Sequence, residues 1–350
     1  MAELLNVADF EREAERRLEP IAYAYYAGGA GDEWTLRENV SAFRRWHLRP
    51  RMLVDASAAS AATAVLGTEV SMPVLLAPVG FQRLAHPDGE LAAARAAAAA
   101  GTVYCHPTLS SIGPSDCAEA APEGRRWFQL YWSRDRGFTR DLLERVAETG
   151  YSALVLTVDF PVIGRRERDL RIGRAFPPAD VPLPNISPEV RPPRGLGHIV
   201  DASLTWRDLE WLRETCSLPL VIKGVLTAED AVLAADHGAA ALVVSNHGGR
   251  QLDGVAASLD ALPEVVEAIG DRVEVLLDGG VRRGIDVLVA LALGARAALI
   301  GRAFLWGLAA GGEEGVSRVL ELFREEILTG LALLGCPSPA QVTRAHVAHR

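Results

Sequence analysis

Leu242-Val-Val-Ser-Asn-His-Gly-Gly-Arg-Gln-Leu-Asp253 reads as the end of a buried strand that runs directly into a base and a cation. Leu242, Val243 and Val244 suit a strand covered on both faces, and Ser245, Asn246, His247 and Arg250 follow at once. Gly248 and Gly249 permit a turn that a Cβ would block, so His247 and Arg250 can face one ligand. Parallel barrels keep their chemistry at this end of the strand. The plainer alternative is a strand-to-helix turn whose histidine only hydrogen-bonds. Arginine at i+3 on a double-glycine turn favours a site.

Working outward, short apolar runs alternate with amphipathic stretches of helical length from about residue 72 almost to the end. Eight strands are predicted: 73–77, 102–105, 127–131, 153–158, 220–223, 241–245, 273–277 and 298–300. Helices are predicted over 89–100, 139–148, 205–215, 227–236, 259–269, 284–293 and 315–334, with Thr227 as an N-cap. This is the pattern of an α/β chain folded as a (β/α)8 TIM barrel over 71–335, with a helical N-terminal extension over 1–70. A doubly wound open sheet would call for a GxGxxG turn after the first strand, and none is present there. The whole is read as one domain, 1–350. Residues 174–203, rich in proline and glycine, interrupt the alternation and read either as a lid or as a passive surface excursion.

The 350 residues, 49% of them hydrophobic, can bury a large core. A net charge of −9 argues against a nucleic-acid backbone as partner. Cys105, Cys117, Cys216 and Cys336 lack CxxC spacing, so neither a zinc site nor a disulfide framework is expected and no metal is predicted. The charged N-terminal stretch does not resemble a signal peptide, and Val287 to Ile300 is interrupted by Gly294 and Arg296, too short to span a bilayer. A cytoplasmic protein without membrane attachment is the expectation.

Residues just after each strand should converge in a barrel, and they have the chemistry of a single site. The first strand ends at Pro78-Val79-Gly80, the second leads through His106 to Ser110, and the third carries Gln129 and Tyr131. The fourth gives Thr157 and Asp159 with Arg166 beyond, the fifth ends in Lys223, and the sixth brings Ser245 and His247. The seventh ends Asp278-Gly279-Gly280 before Arg282 and Arg283; the eighth ends Gly301-Arg302. Glycines beside arginines after the last two strands make a phosphate-shaped feature. A lysine emerging from an apolar strand is costly unless something anionic meets it, so it points either to Schiff-base chemistry or to a cation held against an electron-rich ring.

These motifs carry a resemblance. Ser245-Asn-His-Gly-Gly-Arg-Gln-Leu-Asp253, Leu220-Val-Ile-Lys-Gly-Val225, Leu277-Asp-Gly-Gly-Val-Arg-Arg-Gly284, Phe128-Gln-Leu-Tyr131 and Thr157-Val-Asp159 with Gly164-Arg-Arg-Glu167 resemble the FMN-dependent 2-hydroxy acid oxidases and dehydrogenases. That family includes glycolate oxidase, lactate oxidase and mandelate- or hydroxymandelate-oxidising enzymes. The likeness extends over nearly the whole chain, Tyr25-Tyr-Ala-Gly-Gly-Ala30 included.

The resemblance implies oxidation of an (S)-2-hydroxy acid to a 2-oxo acid, with FMN taking the electrons and O2 or another acceptor reoxidising it. It places Lys223 at the N1–C2 edge of the flavin, Ser110, Gln129, Thr157 and Ser245 around the ring, and Pro78, Val79 and Gly80 near N5. Asp278 falls to the ribityl chain, and Gly279, Gly280, Arg282, Gly301 and Arg302 to the phosphate. His247 becomes the base and Asp159 its charged partner. Arg166 and Arg250 grip the substrate carboxylate, with Tyr25 and Tyr131 adding hydroxyl contacts. Assembly into a homo-oligomer, a tetramer or octamer, is expected.

Three positions depart from the common pattern. Val79 stands where many relatives have threonine, but its contact there is largely through the backbone, so flavin binding is expected to survive. Gly80 stands where many oxidases carry alanine, which bears on the choice of acceptor. Ile112 stands where glycolate oxidases have tryptophan, which is expected to open the substrate side toward lactate or an aryl-substituted glycolate. A flavin-free phosphate-binding barrel using Lys223 as a Schiff-base amine, and an inactive binding barrel, are the competing readings.

Overall fold

The computed structural model describes residues 4–172, 177–178, 181–189 and 199–350. Eight parallel strands close into a barrel: β1 (Val74–Leu76), β2 (Val103–His106), β3 (Arg125–Leu130), β4 (Ala153–Thr157), β5 (Leu220–Val225), β6 (Ala241–Val244), β7 (Glu274–Asp278) and β8 (Ala297–Ile300). They neighbour one another in chain order, and β8 pairs with β1 to close the sheet. All eight strands predicted from the sequence are therefore present.

Strand parity sorts the side chains into two cores. Leu75, Val103, Cys105, Trp127, Val155, Val221, Val243, Leu276 and Leu299 fall in one buried cluster, the barrel interior. Their alternates, such as Leu76, Tyr104, Phe128, Leu154, Ile222, Leu242 and Leu277, belong to the larger cluster shared with the helices. Continuing the inward parity by one step brings Gln129, Thr157, Lys223, Ser245 and Asp278 to the carboxyl end of the interior. The sequence thus fills the barrel with apolar layers and tops it with polar groups.

Helices Gly89–Ala99, Arg136–Glu148, Asp208–Thr215, Ala228–Asp236, Ser258–Ile269 and Gly284–Ala292 follow the expected alternation. Thr227 accepts from the Asp230 N–H at 3.3 Å, as its N-cap role requires. Three helices differ from expectation. Pro114–Ala120 and Glu167–Ile172 are not among those predicted, and the last helix spans Arg302–Leu334 instead of starting at Gly315. Its backbone breaks at Gly311 and Gly312. The earlier half, Ala303–Ala310, is buried throughout and so carries no amphipathic period to read.

The N-terminal extension is helical only in part. Helices Val7–Arg17, Pro20–Ala27 and Trp34–Ser41 give way to strand Trp46–Leu48, which pairs antiparallel with Val347–His349. A hairpin of Thr63–Val65 and Thr68–Val70 then joins the interior cluster through Val65 and Val70. The Leu66 N–H donates to Glu274 at the start of β7, which puts this hairpin at the amino end of the barrel. The lid predicted over 174–203 falls partly outside the described residues. Within it, Val181, Leu183 and Ile186 are buried in the core, and Asn185 donates to the Ile112 carbonyl at 3.1 Å.

Candidate active site

A cavity of about 990 Å3, its open mouth included, lies at the carboxyl ends of the strands. Pro78, Val79 and Gly80 after β1, Gln129 and Tyr131 at the end of β3, Arg166 after β4 and Lys223 of β5 line it. So do His247, Gly248 and Arg250 after β6, Asp278, Gly279, Gly280 and Arg282 at β7, and Gly301 with Arg302 at β8. Helix Pro20–Ala27 closes one side with Tyr25 and Tyr26. Groups scattered over more than 270 positions of sequence, from Tyr25 to Arg302, meet in one place.

His247 sits in the left-handed region at φ 58°, a conformation sparsely used by non-glycine residues, and Gly248 and Gly249 continue the turn at φ 64° and 74°. Its Nδ1 lies 2.8 Å from Asp159 Oδ1. Burial opposes ionisation of Asp159, but the charges of His247 and Lys223 outweigh it and hold its pKa below the ordinary carboxylate value. An ionised carboxylate only accepts, so Nδ1 carries the proton and Nε2 presents its lone pair. Nε2 lies 3.5 Å from Tyr131 Oη. Burial also lowers the His247 pKa, against the opposing pull of Asp159. The imidazole is therefore neutral at pH 7 and available as a base.

The cationic groups divide into two sets. Arg166 and Arg250 flank Tyr25, their guanidinium carbons 5.9 and 4.6 Å from its ring centroid. Arg302 donates to the carbonyls of Tyr26, Gly248 and Gly28 at 2.8, 3.0 and 2.8 Å, and Arg282 lines the same wall. Among the described residues, none of these four arginines forms a salt bridge with a carboxylate, and burial lowers the pKa of Arg166 to about 10 and holds that of Arg302 well below the ordinary arginine value. Buried or half-buried guanidiniums satisfied only by carbonyls are costly unless an anion joins them, and of the four Arg166 is buried and the others half-buried. Two anions fit: one beside Arg166 and Arg250, one beside Arg282 and Arg302.

Lys223 has its anionic partner within the protein. Its Nζ lies 3.1 Å from Asp278 Oδ2 and donates to Ser245 Oγ at 2.9 Å. Burial works against the ammonium, but Asp278 and Asp159 prevail and raise its pKa above the ordinary lysine value. A lysine held protonated is not a Schiff-base nucleophile.

Some predicted residues stand back from the cavity. Ser245 lies behind it, accepting from Lys223 and, at 3.0 Å, from the His247 N–H. Ser110 is buried and accepts from the Ile112 N–H at 3.2 Å, while Pro107 and Leu109 from the same loop line the wall. Thr157 opens onto a neighbouring chamber. Asp159 touches the site through His247. Arg283 turns outward and pairs with Glu326 at 2.7 Å, because Asp286 fixes the loop by accepting from the N–H groups of both arginines. Ile112 does not line the cavity either: its side chain is buried in the core. Tyr26, Leu109 and Phe160 are wall residues that sequence reasoning missed.

The sequence profile of FMN-dependent dehydrogenases matches residues 14–349. The chain belongs to this family. It is 50% identical over 346 residues to an L-lactate oxidase of Nostoc sp., covering 95% of this chain and 94% of that protein. It is 45% identical to glycolate oxidase 3 of Arabidopsis thaliana, covering 99% and 96%. A crystal structure of mandelate oxidase with (S)-2-phenylpropionate superposes with a TM-score of 0.91 at 42% identity, covering 99% of both chains. This FMN-dependent dehydrogenase family member is accordingly an FMN-dependent oxidoreductase of 2-hydroxy acids.

The residues present fit FMN. Gln129 Nε2 and Asp278 Oδ1 are buried polar atoms without a partner, and both residues line the cavity. Helix Arg302–Leu334 starts at the cavity wall with no side chain capping it, so its first N–H groups and its dipole suit a phosphate beside Arg282 and Arg302. At Gly280, φ is 83° and a Cβ would collide with the Asn39 carbonyl, so the turn under the arginines is pressed against helix Trp34–Ser41. Bound FMN supplies the two-electron acceptor. Among the described residues, no group of His, Cys, Asp and Glu could hold a metal ion, and no helix is long and apolar enough to cross a membrane.

Proposed function

We propose that the chain oxidises an (S)-2-hydroxy acid with a lactate-like or mandelate-like side chain, and that His247 is the base. The supporting observation is the arrangement of His247 Nε2 opposite Tyr131 Oη, with Arg166 and Arg250 on the same cavity wall. Arg166 and Arg250 hold the substrate carboxylate, and Tyr25 and Tyr131 contribute hydroxyl contacts to it and to the reacting oxygen. Nε2 removes the substrate proton and Asp159 stabilises the imidazolium that results. Loss of the Cα hydrogen as hydride or as proton uses the same protein groups. Gln129, Lys223 and Asp278 hold the ring and ribityl chain, Pro78, Val79 and Gly80 border the ring, and Gly279, Gly280, Arg282, Gly301 and Arg302 take the phosphate. Ser110, Thr157 and Ser245 support these walls from behind.

The side-chain preference follows the relatives, which include an L-lactate oxidase and mandelate oxidase. Reoxidation is by O2, giving H2O2, or by another acceptor. Gly80 is the position to watch: an added Cβ would come to 3.0 Å from Leu109 Cβ and 3.6 Å from Tyr25 Oη, so Leu109 already closes the wall there and would have to shift to admit an alanine. The chain acts as one FMN-binding domain in a cytoplasmic homo-oligomer, a tetramer or octamer. Four unpaired cysteines accord with a reducing compartment, and exposed Met52, Leu53, Leu252 and Leu333 offer apolar surface for assembly. An anaerobic screen of 2-hydroxy acids for flavin bleaching, followed by admitting air and measuring peroxide, tests the reading. Bleaching by an (S)-2-hydroxy acid is expected; a flavin that none of them bleaches refutes it.

A further inference from the structure

We propose that Phe160 is the partition that limits the size of the substrate side chain, separating the active site from an unused chamber beside it. The proposal rests on the hydroxy-acid reading above and names which acids the site could take. Phe160 is 4% exposed and lines both the main cavity and a second chamber of about 1090 Å3, its mouth included. On the active-site side its ring lies 4.8 Å from that of Tyr131 and 5.6 Å from that of His247, centroid to centroid. It therefore stands against the proposed base and a hydroxyl assigned to the reacting oxygen, beside the space open to a substrate side chain.

The chamber behind it opens at the carboxyl ends of β4 and β5, between Thr157 and Gly224. Val158, Val200, Leu204 and Leu209 give it apolar walls, and Asp201 and Asp230 add carboxyl groups. This chemistry suits an aliphatic or aryl chain and rejects a second carboxylate. With Phe160 in place, the side chain is confined to the first cavity. Removing the ring joins the two spaces. Discrimination of 10- to 200-fold per methylene is the usual scale for an apolar pocket, so one aromatic ring is enough to exclude a long chain.

The test uses FMN-loaded enzyme and compares (S)-lactate, (S)-2-hydroxyoctanoate and a 2-hydroxy dicarboxylate. Phe160→Ala is expected to raise the kcat/KM ratio of 2-hydroxyoctanoate to lactate by about tenfold or more. It should also tighten 2-oxooctanoate, read as a flavin absorbance shift without turnover, and give the dicarboxylate no gain. Phe160→Leu, closer in volume, should move the ratio in the same direction by less and guards against a variant that fails to fold. Ala202 lines the chamber away from the main cavity. Adding Ala202→Trp to Phe160→Ala should fill the chamber and return the ratio toward that of the wild type. A ratio within about twofold of wild type in both Phe160 variants, in enzyme that still oxidises lactate, overturns the partition; so does a gain that Ala202→Trp leaves intact. A wild-type flavin bleached by no 2-hydroxy acid would instead remove the hydroxy-acid reading, and the partition with it.

Discussion

His247 is bound to Asp159 through Nδ1 at 2.8 Å, and its Nε2 is left to face Tyr131 across the cavity. One ring nitrogen is thereby committed to a buried carboxylate and the other is free for a substrate proton. The tautomer, the ring orientation and the charge that receives the proton all follow from this contact.

Asp159→Asn should therefore preserve FMN binding while slowing flavin reduction by about 10²- to 10⁴-fold. The sign of the pH effect is also fixed. Burial lowers the His247 pKa and Asp159 pulls it upward. Wild-type reduction, which needs the neutral ring, is full above that pKa and lost as pH falls through it, at a pH below 6.5; without the carboxylate the loss should move to still lower pH. Anaerobic stopped-flow reduction over a pH series checks both. An unchanged rate would show that the carboxylate does not assist the base.

Arg166 and Arg302 lie in the same cavity but should fail differently. Arg166→Met should weaken substrate by about 10- to 150-fold, the scale of one or two charge-assisted hydrogen bonds, with FMN content unchanged. Arg302→Met should yield colourless protein that needs added FMN, because it removes the proposed phosphate ligand together with three bonds to the carbonyls of Tyr26, Gly28 and Gly248. Substrate titration and the flavin-to-protein absorbance ratio separate the two effects.

His106 gives a prediction on stability. It is buried at the end of β2, its Nδ1 2.6 Å from Tyr151 Oη and its Nε2 without a partner. Burial, assisted by Arg126, pushes its pKa down to about 3. Above pH 6.5 the ring is neutral in folded and unfolded chains alike and costs nothing. Below 6.5 only the unfolded chain takes the proton, so stability falls by about 1.4 kcal/mol per pH unit, or about 2 kcal/mol by pH 5, until the folded pKa is reached. Denaturant melts of wild type and His106→Gln between pH 5 and 7.5 should differ in slope by this amount, and equal slopes would exclude it.

The barrel was legible because its strands are buried on both faces and read as short apolar runs, Ala153–Thr157 and Ala241–Val244 being the clearest. Pairing of Trp46–Leu48 with Val347–His349 was not, since three-residue strands at opposite ends of the chain carry no local signal. The site was legible where glycines, charges and strand ends coincide, as at His247 and Asp278. At Ser110 and Ile112 the loop after β2 turns one side chain onto a backbone amide and the other into the core, placements that no sequence motif announces. Phe160 escaped notice because an aromatic residue beside a proline has no motif; only the two spaces it divides give it meaning.

The assignment of His247 is tested most directly by mixing FMN-loaded His247→Gln with the preferred 2-hydroxy acid in the absence of oxygen. Glutamine cannot accept the substrate proton, so the protein is expected to stay yellow and bind substrate while the flavin remains oxidised. Bleaching at the wild-type rate would contradict the account.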